Sequence, residues 1–83
     1  MSEHKPNKAL QLAMGKALTK EMAHYRVTCE ELAAKTGAGA KNISQIRNGR
    51  NCSLNMWFAL CDGLGVRFSR IARAAEKIME GDK

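Results

Sequence analysis

The sequence predicts an all-α fold, a single domain of about five short helices. Its 83 residues leave room for one hydrophobic core. Apolar residues recur at helical spacing, and no segment alternates apolar and polar residues as a half-buried strand would. Glycines separate these periodic segments and mark the turns between the helices.

The first helix is predicted from about Lys8 to Tyr25, where apolar residues form one stripe. The stripe consists of Leu10, Met14, Ala17, Leu18, Met22 and Tyr25. Pro6 stands just before this segment, at a position typical of a helix start. We therefore expect residues 1–7 to form a flexible tail and residues 8–80 to form the domain.

The second helix is predicted to begin at Thr28. Thr28 and Glu31 have the T-x-x-E spacing of a capping box, in which each side chain bonds a free backbone amide of the first turn. Gly37 is predicted to end this helix, because glycine adopts the left-handed conformation of a helix end without strain. The small residues that follow allow a tight turn and a close crossing of two helices.

A third helix is predicted to follow Gly39, its expected N-cap. Its apolar face carries Ala40, Ile43 and Ile46. Its opposite, polar face carries Lys41, Ser44, Gln45 and Asn48. Lysine donates to guanine O6 and N7, and a glutamine amide bonds adenine N6 and N7. We interpret the polar face as a surface that reads base edges; a solvated face without a ligand is the alternative.

Two further helices complete the predicted fold. Ser53 is expected to cap the fourth helix and Gly65 to end it, with Trp57 and Phe58 packed in or beside the core. The fifth helix is predicted from about residue 67 to residue 79. Its apolar stripe consists of Phe68, Ile71, Ala75 and Ile78. Because this stripe exceeds what one small core needs, we expect it to form a homodimer interface; packing on its own domain is the alternative.

The charge distribution favours a nucleic-acid partner. The formal net charge is +6, and no acidic residue occurs between Glu31 and Asp62. The basic residues inside this segment are Lys35, Lys41, Arg47 and Arg50. A local positive field of this kind attracts phosphate backbones. A basic surface that serves only solubility is the alternative interpretation.

Membrane and secretory functions are disfavoured. No apolar run approaches the roughly 18 residues needed to span a bilayer. The opening MSEHKPNK also lacks the apolar core of a secretory signal. We therefore expect a cytoplasmic protein without a membrane partner.

Enzymatic and metal-binding functions are disfavoured as well. The sequence has no glycine-rich phosphate loop and no nucleophile with an identifiable base, so neither catalysis nor a small-molecule substrate is expected. Cys29, Cys52 and Cys61 form no C-x-x-C pair, and together with His24 they fit no zinc-ligand spacing. We expect reduced thiols, with no metal and no cofactor.

The segment from Val27 to Val66 resembles a known family. This segment reads VTCEELAAKTGAGAKNISQIRNGRNCSLNMWFALCDGLGV. It is similar to the helix-turn-helix domains of the phage repressor and Cro type (XRE-like, lambda repressor-like), whose pattern is close to T-Q-E-E-L-A, glycine, a short turn, I-S-x-I, an N-G turn, S-L and L-G-V. The resemblance implies a homodimeric transcription regulator, a repressor or autoregulating controller, that binds double-stranded DNA at a near-palindromic operator. Restriction-modification controllers and Cro-like phage regulators are the closest functional analogues.

Carried over by position, the resemblance assigns two groups of DNA-contacting residues. Those at major-groove, base-reading positions are Ala40, Lys41, Ser44 and Gln45. Those at phosphate positions are Thr28, Gly39, Asn48, Arg50 and Asn51. Phosphate contacts fix the protein on the duplex, and base contacts read its sequence.

Three residues depart from the family pattern. Cys29 replaces a glutamine that often anchors the second helix on a phosphate, and Ala40 replaces a polar base-reading residue. These two departures favour the alternative function, a protein-binding module of the same fold such as an antitoxin or an inhibitor of another regulator. Arg47 replaces a frequent glutamate. We expect it to pair with Glu21, as a common family ion pair with exchanged signs, or else to hold a phosphate.

Overall fold

The computed structural model describes residues 8–81, which form five α-helices joined by short turns. They are α1 (Lys8–Tyr25), α2 (Cys29–Thr36), α3 (Ala40–Arg47), α4 (Leu54–Leu64) and α5 (Phe68–Gly81). No strand occurs within the described range. The predicted all-α fold is therefore confirmed. The predicted tail, residues 1–7, lies outside the described residues.

The first helix ends at Tyr25, as predicted, because the chain reverses at Arg26. The φ of Arg26 is 56°, in the left-handed region, and the Val27 N–H donates to Met22 O over 2.8 Å. This bond satisfies a carbonyl that the end of α1 would otherwise leave free. The middle of the predicted apolar stripe is buried, whereas Leu10 and Tyr25 at its ends are 39% and 45% exposed.

The central pair of helices, α2 and α3, begins where local signals predicted. Glu31 N–H donates to Thr28 Oγ1 over 3.1 Å, and Thr28 N–H donates to Glu31 Oε1 over 2.8 Å, which confirms the capping box. Gly37 ends α2 with a φ of 79°. Gly39 is the extended N-cap of α3. The turn between the two helices is therefore confined to residues 37–39.

The boundaries of α4 are also those predicted, and α5 is slightly longer. Ser53 Oγ accepts from Met56 N–H over 3.1 Å, and Gly65 ends α4 with a φ of 77°. The last helix continues to Gly81 rather than stopping near Met79. No proline or left-handed residue lies between these two positions to break it.

The apolar stripe of α5 packs on α1 of the same chain. Ile71 and Ala75 are fully buried in this core, and Phe68 and Ile78 are half-buried against it. This burial corrects the prediction that Ile71 and Ala75 form a dimer interface, because side chains without exposed surface cannot meet a second copy. The stripe is needed within one chain because α1 is 18 residues long and offers α5 an extended apolar face.

Every helix contributes to a single core. Fully buried side chains come from each of the five in turn: Leu18, Leu32, Ile43, Leu60 and Ile71. Burying one such aliphatic side chain stabilises a fold by about 1.5–3 kcal/mol. The inner face of α3 is thus anchored in the same core as the other helices. Its outer face therefore has a defined orientation.

Candidate nucleic-acid interface

The third helix presents opposite faces to the core and to solvent. Ile43 and Ile46 are fully buried, whereas Lys41 and Ser44 are exposed on the other side. Gln45 is half-buried at the edge of the exposed face. The predicted division of this helix into a packing face and a polar face is confirmed.

The start of α3 opens onto the same surface. Gly39 is exposed immediately before the helix and has no side chain to cover the backbone N–H groups of the first turn. Free N–H groups and the helix dipole favour an anion such as a phosphate at this end. Ala40, the next residue, is half-buried and offers only a methyl group, which suits apolar contact with a thymine methyl.

A groove runs between the start of α2 and the exposed face of α3. Its lining includes Thr28, Cys29, Ala40, Lys41, Ser44 and Arg47. The groove therefore brings Thr28, a predicted phosphate contact, beside three of the predicted base-reading residues. The Thr28 hydroxyl accepts from Glu31 N–H and keeps its own proton to donate. Glu30 is the acidic residue in the lining of this groove.

The turn after α3 carries the remaining predicted phosphate contacts. They are Asn48, Arg50 and Asn51, all of which are exposed. Gly49 has a φ of 103°, and a Cβ at this position would lie 3.0 Å from Leu12 Cδ2 of α1. Both the backbone conformation and the close packing favour glycine here. Arg50 NH1 donates to Gln45 Oε1, so the turn connects a predicted phosphate contact with a predicted base-reading residue.

Arg47 connects α3 to both preceding helices. Its Nε donates to Thr19 Oγ1 of α1 over 3.1 Å, and its NH1 donates to Cys29 Sγ of α2 over 3.3 Å. The favoured pairing of Arg47 with Glu21 was wrong, since Glu21 Oε2 accepts from Arg70 Nε of α5 over 3.0 Å. Residues two apart on a helix face different directions, so Thr19 faces α3 and Glu21 faces α5.

Gly15 sets the distance between α1 and α3, and the sequence pattern did not reveal this role. A Cβ at Gly15 would lie 2.5 Å from Arg47 O and 2.7 Å from Ile46 O. Only glycine lets the α1 backbone approach the end of the third helix this closely. One turn later, Thr19 Oγ1 donates to Gly15 O over 2.9 Å. The available signal was a glycine within the buried stripe of a long amphipathic helix.

The three cysteines are free thiols in different surroundings. Cys29 is half-buried and accepts a hydrogen bond from Arg47, as described above. Burial raises the pKa of the half-buried Cys52 thiol. Burial and the nearby Glu21 carboxylate raise the pKa of the Cys61 thiol to about 11. Among residues 8–81, no group of three or more His, Cys, Asp and Glu side chains is placed to hold a metal ion.

Comparison with known families identifies the fold that carries this surface. A family model described as the Cro/C1-type HTH DNA-binding domain matches residues 17–74, well over half of the chain. The chain belongs to this family. The match to the Cro/C1-type model includes the whole of α2, α3 and α4, together with the second half of α1 and the first half of α5. The resemblance to phage repressor and Cro-type domains is confirmed, and the exposed face of α3 belongs to a helix-turn-helix DNA-binding domain.

A solved structure is similar to almost the whole of this chain. The crystal structure of the clp gene regulator ClgR from C. glutamicum superposes with a TM-score of 0.82 at 26% sequence identity. The match covers 90% of this chain and 96% of that chain. No protein with curated annotation matches the chain. None of the helices within residues 8–81 has the length and apolar character that crossing a membrane requires.

Proposed function

We propose that this protein is a sequence-specific, homodimeric transcription regulator that reads operator DNA with α3 in the major groove. The exposed polar face of α3 carries the proposal. Lys41 and Ser44 are exposed on it, while Ile43 and Ile46 anchor the opposite face. In the helix-turn-helix fold, the second helix of the motif is the one that enters the major groove. The relative that superposes on this chain is described as a gene regulator, which supports a role in transcription.

Base reading is assigned to four residues of α3. Lys41 donates to guanine O6 or N7, and Ser44 donates or accepts. Gln45 offers an amide, and Ala40 offers a methyl group to thymine. Three of the four, Ala40, Lys41 and Ser44, line the groove beside α2, so a base pair placed there meets them together.

Phosphate contacts on both sides of α3 hold the reading helix in register. Thr28 lies at the start of α2, and Gly39 lies at the start of α3. Asn48 and Asn51 lie in the exposed turn that follows α3. The DNA backbone would therefore be bound before and after the helix that enters the groove.

A second copy is required because one short recognition helix reads only a few base pairs. Two copies bound about one helical turn apart on a near-palindromic site give the specific affinity that one copy lacks. The exposed apolar surface at the α4–α5 corner is the surface that we assign to this contact. Leu54 and Phe58 are 57% and 51% exposed and lie one turn apart on α4. The Phe58 ring lies 5.1 Å from the ring of the half-buried Phe68.

Charges at the rim of this corner favour a second copy as the occupant. Asp62 and Arg67 both line the hollow beside Phe58 and Phe68. In a two-fold contact the same patch meets itself in the opposite direction. Asp62 of one copy can then approach Arg67 of the other, so one surface supplies both partners of each ion pair.

A gel-shift experiment tests the proposed function. The protein is titrated onto the DNA immediately upstream of its own gene and onto an unrelated duplex of equal length, each at two salt concentrations. A specific regulator keeps its preference for the upstream DNA at the higher salt, whereas non-specific binding falls steeply. If no duplex shifts at either concentration, the alternative of a protein-binding module with the same fold replaces the proposal.

A further inference from the structure

Arg50 and Gln45 are joined by two hydrogen bonds at the end of α3. The side-chain NH1 of Arg50 donates to Gln45 Oε1. The backbone N–H of Arg50 donates to Gln45 O over 3.0 Å. Gln45 lies at the edge of the exposed polar face, and Arg50 is exposed beside it. The two side chains therefore share one surface of the domain.

The turn between them is fixed by its packing against α1. Gly49 N–H donates to Ile46 O over 3.0 Å, and the left-handed φ of Gly49 brings the chain back toward the helix. Gly49 also lies against Leu12, in the close contact described above. The position from which the Arg50 side chain starts is thus set by the fold and does not depend on bound DNA.

The bond between the two side chains determines which way the Gln45 amide faces. Arginine has no hydrogen-bond acceptor, so the amide atom that it contacts must be the oxygen. The amide nitrogen of Gln45, with its two donors, then faces away from the guanidinium. A free glutamine can turn its amide to bond adenine as acceptor and donor together. Here the amide oxygen is turned toward the Arg50 guanidinium, which takes one of its two lone pairs, so the amide nitrogen is the group that faces a base.

The result is a reading surface that offers hydrogen-bond donors. The Gln45 amide nitrogen, the remaining N–H groups of Arg50 and the Lys41 ammonium are all donors. Guanine is the base that presents two acceptors, N7 and O6, to the major groove. Adenine and cytosine each present an amino donor, and thymine presents one acceptor and a methyl group. A surface of donors is best satisfied by guanine.

We propose that Gln45 and Arg50 act as one donor unit that selects guanine at one base pair of the operator half-site. In this unit Arg50 is a positioning residue that orients the Gln45 amide, in place of the phosphate contact that the family pattern assigns to it. This inference rests on the proposed function, because it names a base that the same helix reads.

Selection from a random duplex library, followed by affinity measurements, tests the unit. The parent is used to select its preferred site, and its affinity is measured for that site, for each base replacement within it and for random duplex. The same measurements are made for Arg50→Gln, which removes the guanidinium, and for Arg50→Lys, which keeps the charge. Gln45→Ala, which removes the amide, is measured as well to locate the base pair that Gln45 contacts. Lys77→Gln on α5 is the control for loss of one exposed positive charge.

The expected result is a change of base preference at one position. In Arg50→Gln the freed Gln45 oxygen can accept from adenine N6, so the preference for guanine at that position relaxes toward adenine. Affinity for the selected site falls by about tenfold or more, while affinity for random duplex falls much less. Arg50→Lys also loses the preference, because an ammonium lacks the planar guanidinium fork that holds the Gln45 amide in its orientation.

A phosphate contact at Arg50 gives a different result. Arg50→Gln would then weaken selected and random duplexes equally, reduce the salt dependence by about one unit and leave the base preference unchanged. Arg50→Lys would bind as the parent does. That pattern, or a selected site without guanine at the position affected by Gln45→Ala, overturns the inference and leaves the proposed function standing. A parent that selects no sequence overturns both.

Discussion

Arg47 holds α3 through a hydroxyl and a thiol, Thr19 Oγ1 and Cys29 Sγ. The resemblance led us to expect an acidic partner, because family members commonly have an ion pair at this place. Hydrogen bonds from a cation to neutral groups leave no comparable signal. The position of Arg47 on α3 was predictable, but its partners depended on which faces of α1 and α2 turn toward it.

Replacing Arg47 with alanine should therefore destabilise the domain itself. Thr19 and Cys29 would stay half-buried and lose their hydrogen bonds from Arg47. We therefore expect the free energy of unfolding to fall by about 1–3 kcal/mol in urea titrations. Arg73→Ala on the exposed side of α5 is the control and should change stability by less than about 0.5 kcal/mol. Equal stabilities for the two variants would show that Arg47 is not a structural residue.

Cys61 gives the domain a pH dependence above neutrality. Its thiol is buried, and burial together with the Glu21 carboxylate raises its pKa from the ordinary value of 9.0 to about 11. A raised pKa means that the folded state favours the neutral thiol. The stability that the neutral thiol contributes is fully present below the ordinary pKa of 9.0. It is lost as the pH rises through the pKa of the folded state.

The free energy of unfolding should consequently fall between pH 9 and about 11, and part of that fall should disappear in Cys61→Ala. The two proteins differ only at this residue, so the difference between their pH profiles isolates the thiol. Parallel profiles from pH 8 to about 11 would show that the pKa of the Cys61 thiol is not raised in the folded state.

A Cys29→Ser, Cys52→Ser double variant, by contrast, should melt close to the parent.

Among the helices, the boundaries were the most predictable feature. The capping box at Thr28, the left-handed Gly37 and Gly65, and the Ser53 cap all act through residues within one turn of each other. Such local signals are contained in short stretches of sequence. The contacts of a helix face are not contained in such stretches. Periodicity shows that Ile71 faces inward, but it does not show that α5 packs mainly on α1.

Gly15→Ala tests the close crossing of α1 and α3. In an open helix this change is stabilising by about 1 kcal/mol. Here the new methyl group would meet the backbone carbonyls of Ile46 and Arg47, which cannot move without displacing α3. We expect a loss of about 1–3 kcal/mol in the free energy of unfolding, with weaker DNA binding by the molecules that remain folded.

Gly81→Ala is the matched control for that substitution. No atom lies within 4 Å of a Cβ built at Gly81, so the change should be neutral or slightly stabilising. If Gly15→Ala melts at the same temperature as Gly81→Ala, the crossing of α1 and α3 is looser than the structure indicates.

For the whole molecule, the proposed assembly of two copies rests on surface that the fold leaves uncovered. The sequence pattern assigned the contact to the α5 stripe, but Ile71 and Ala75 are buried in the core of their own chain, where α5 packs mainly on α1. The exposed corner formed by Leu54, Phe58 and the edge of Phe68 is the surface proposed in its place. How much of an apolar helix face is buried in the core depends on how all the helices pack, which is a property of the complete fold.

Phe58→Glu tests this assignment. The side chain is half exposed, so the variant should fold, while a buried carboxylate should disrupt a contact between copies. Sedimentation should show a dimer for the parent and a monomer for the variant, which keeps only weak, salt-sensitive DNA binding. Tyr25→Glu changes a similarly exposed aromatic residue at the end of α1 and should remain dimeric. A dimeric Phe58→Glu variant would place the interface elsewhere.

The most direct test of the central claim is the specificity ratio, the affinity for the selected operator divided by the affinity for random duplex. It is measured for the parent, for Lys41→Ala, for Gln45→Ala and for Lys77→Ala, which removes a positive charge from α5. If α3 reads bases, each α3 variant loses about 1–3 kcal/mol on the operator and relaxes the preference at one base pair, while Lys77→Ala keeps the ratio of the parent. Equal losses on operator and random duplex for Lys41→Ala and Gln45→Ala would contradict base reading by this helix.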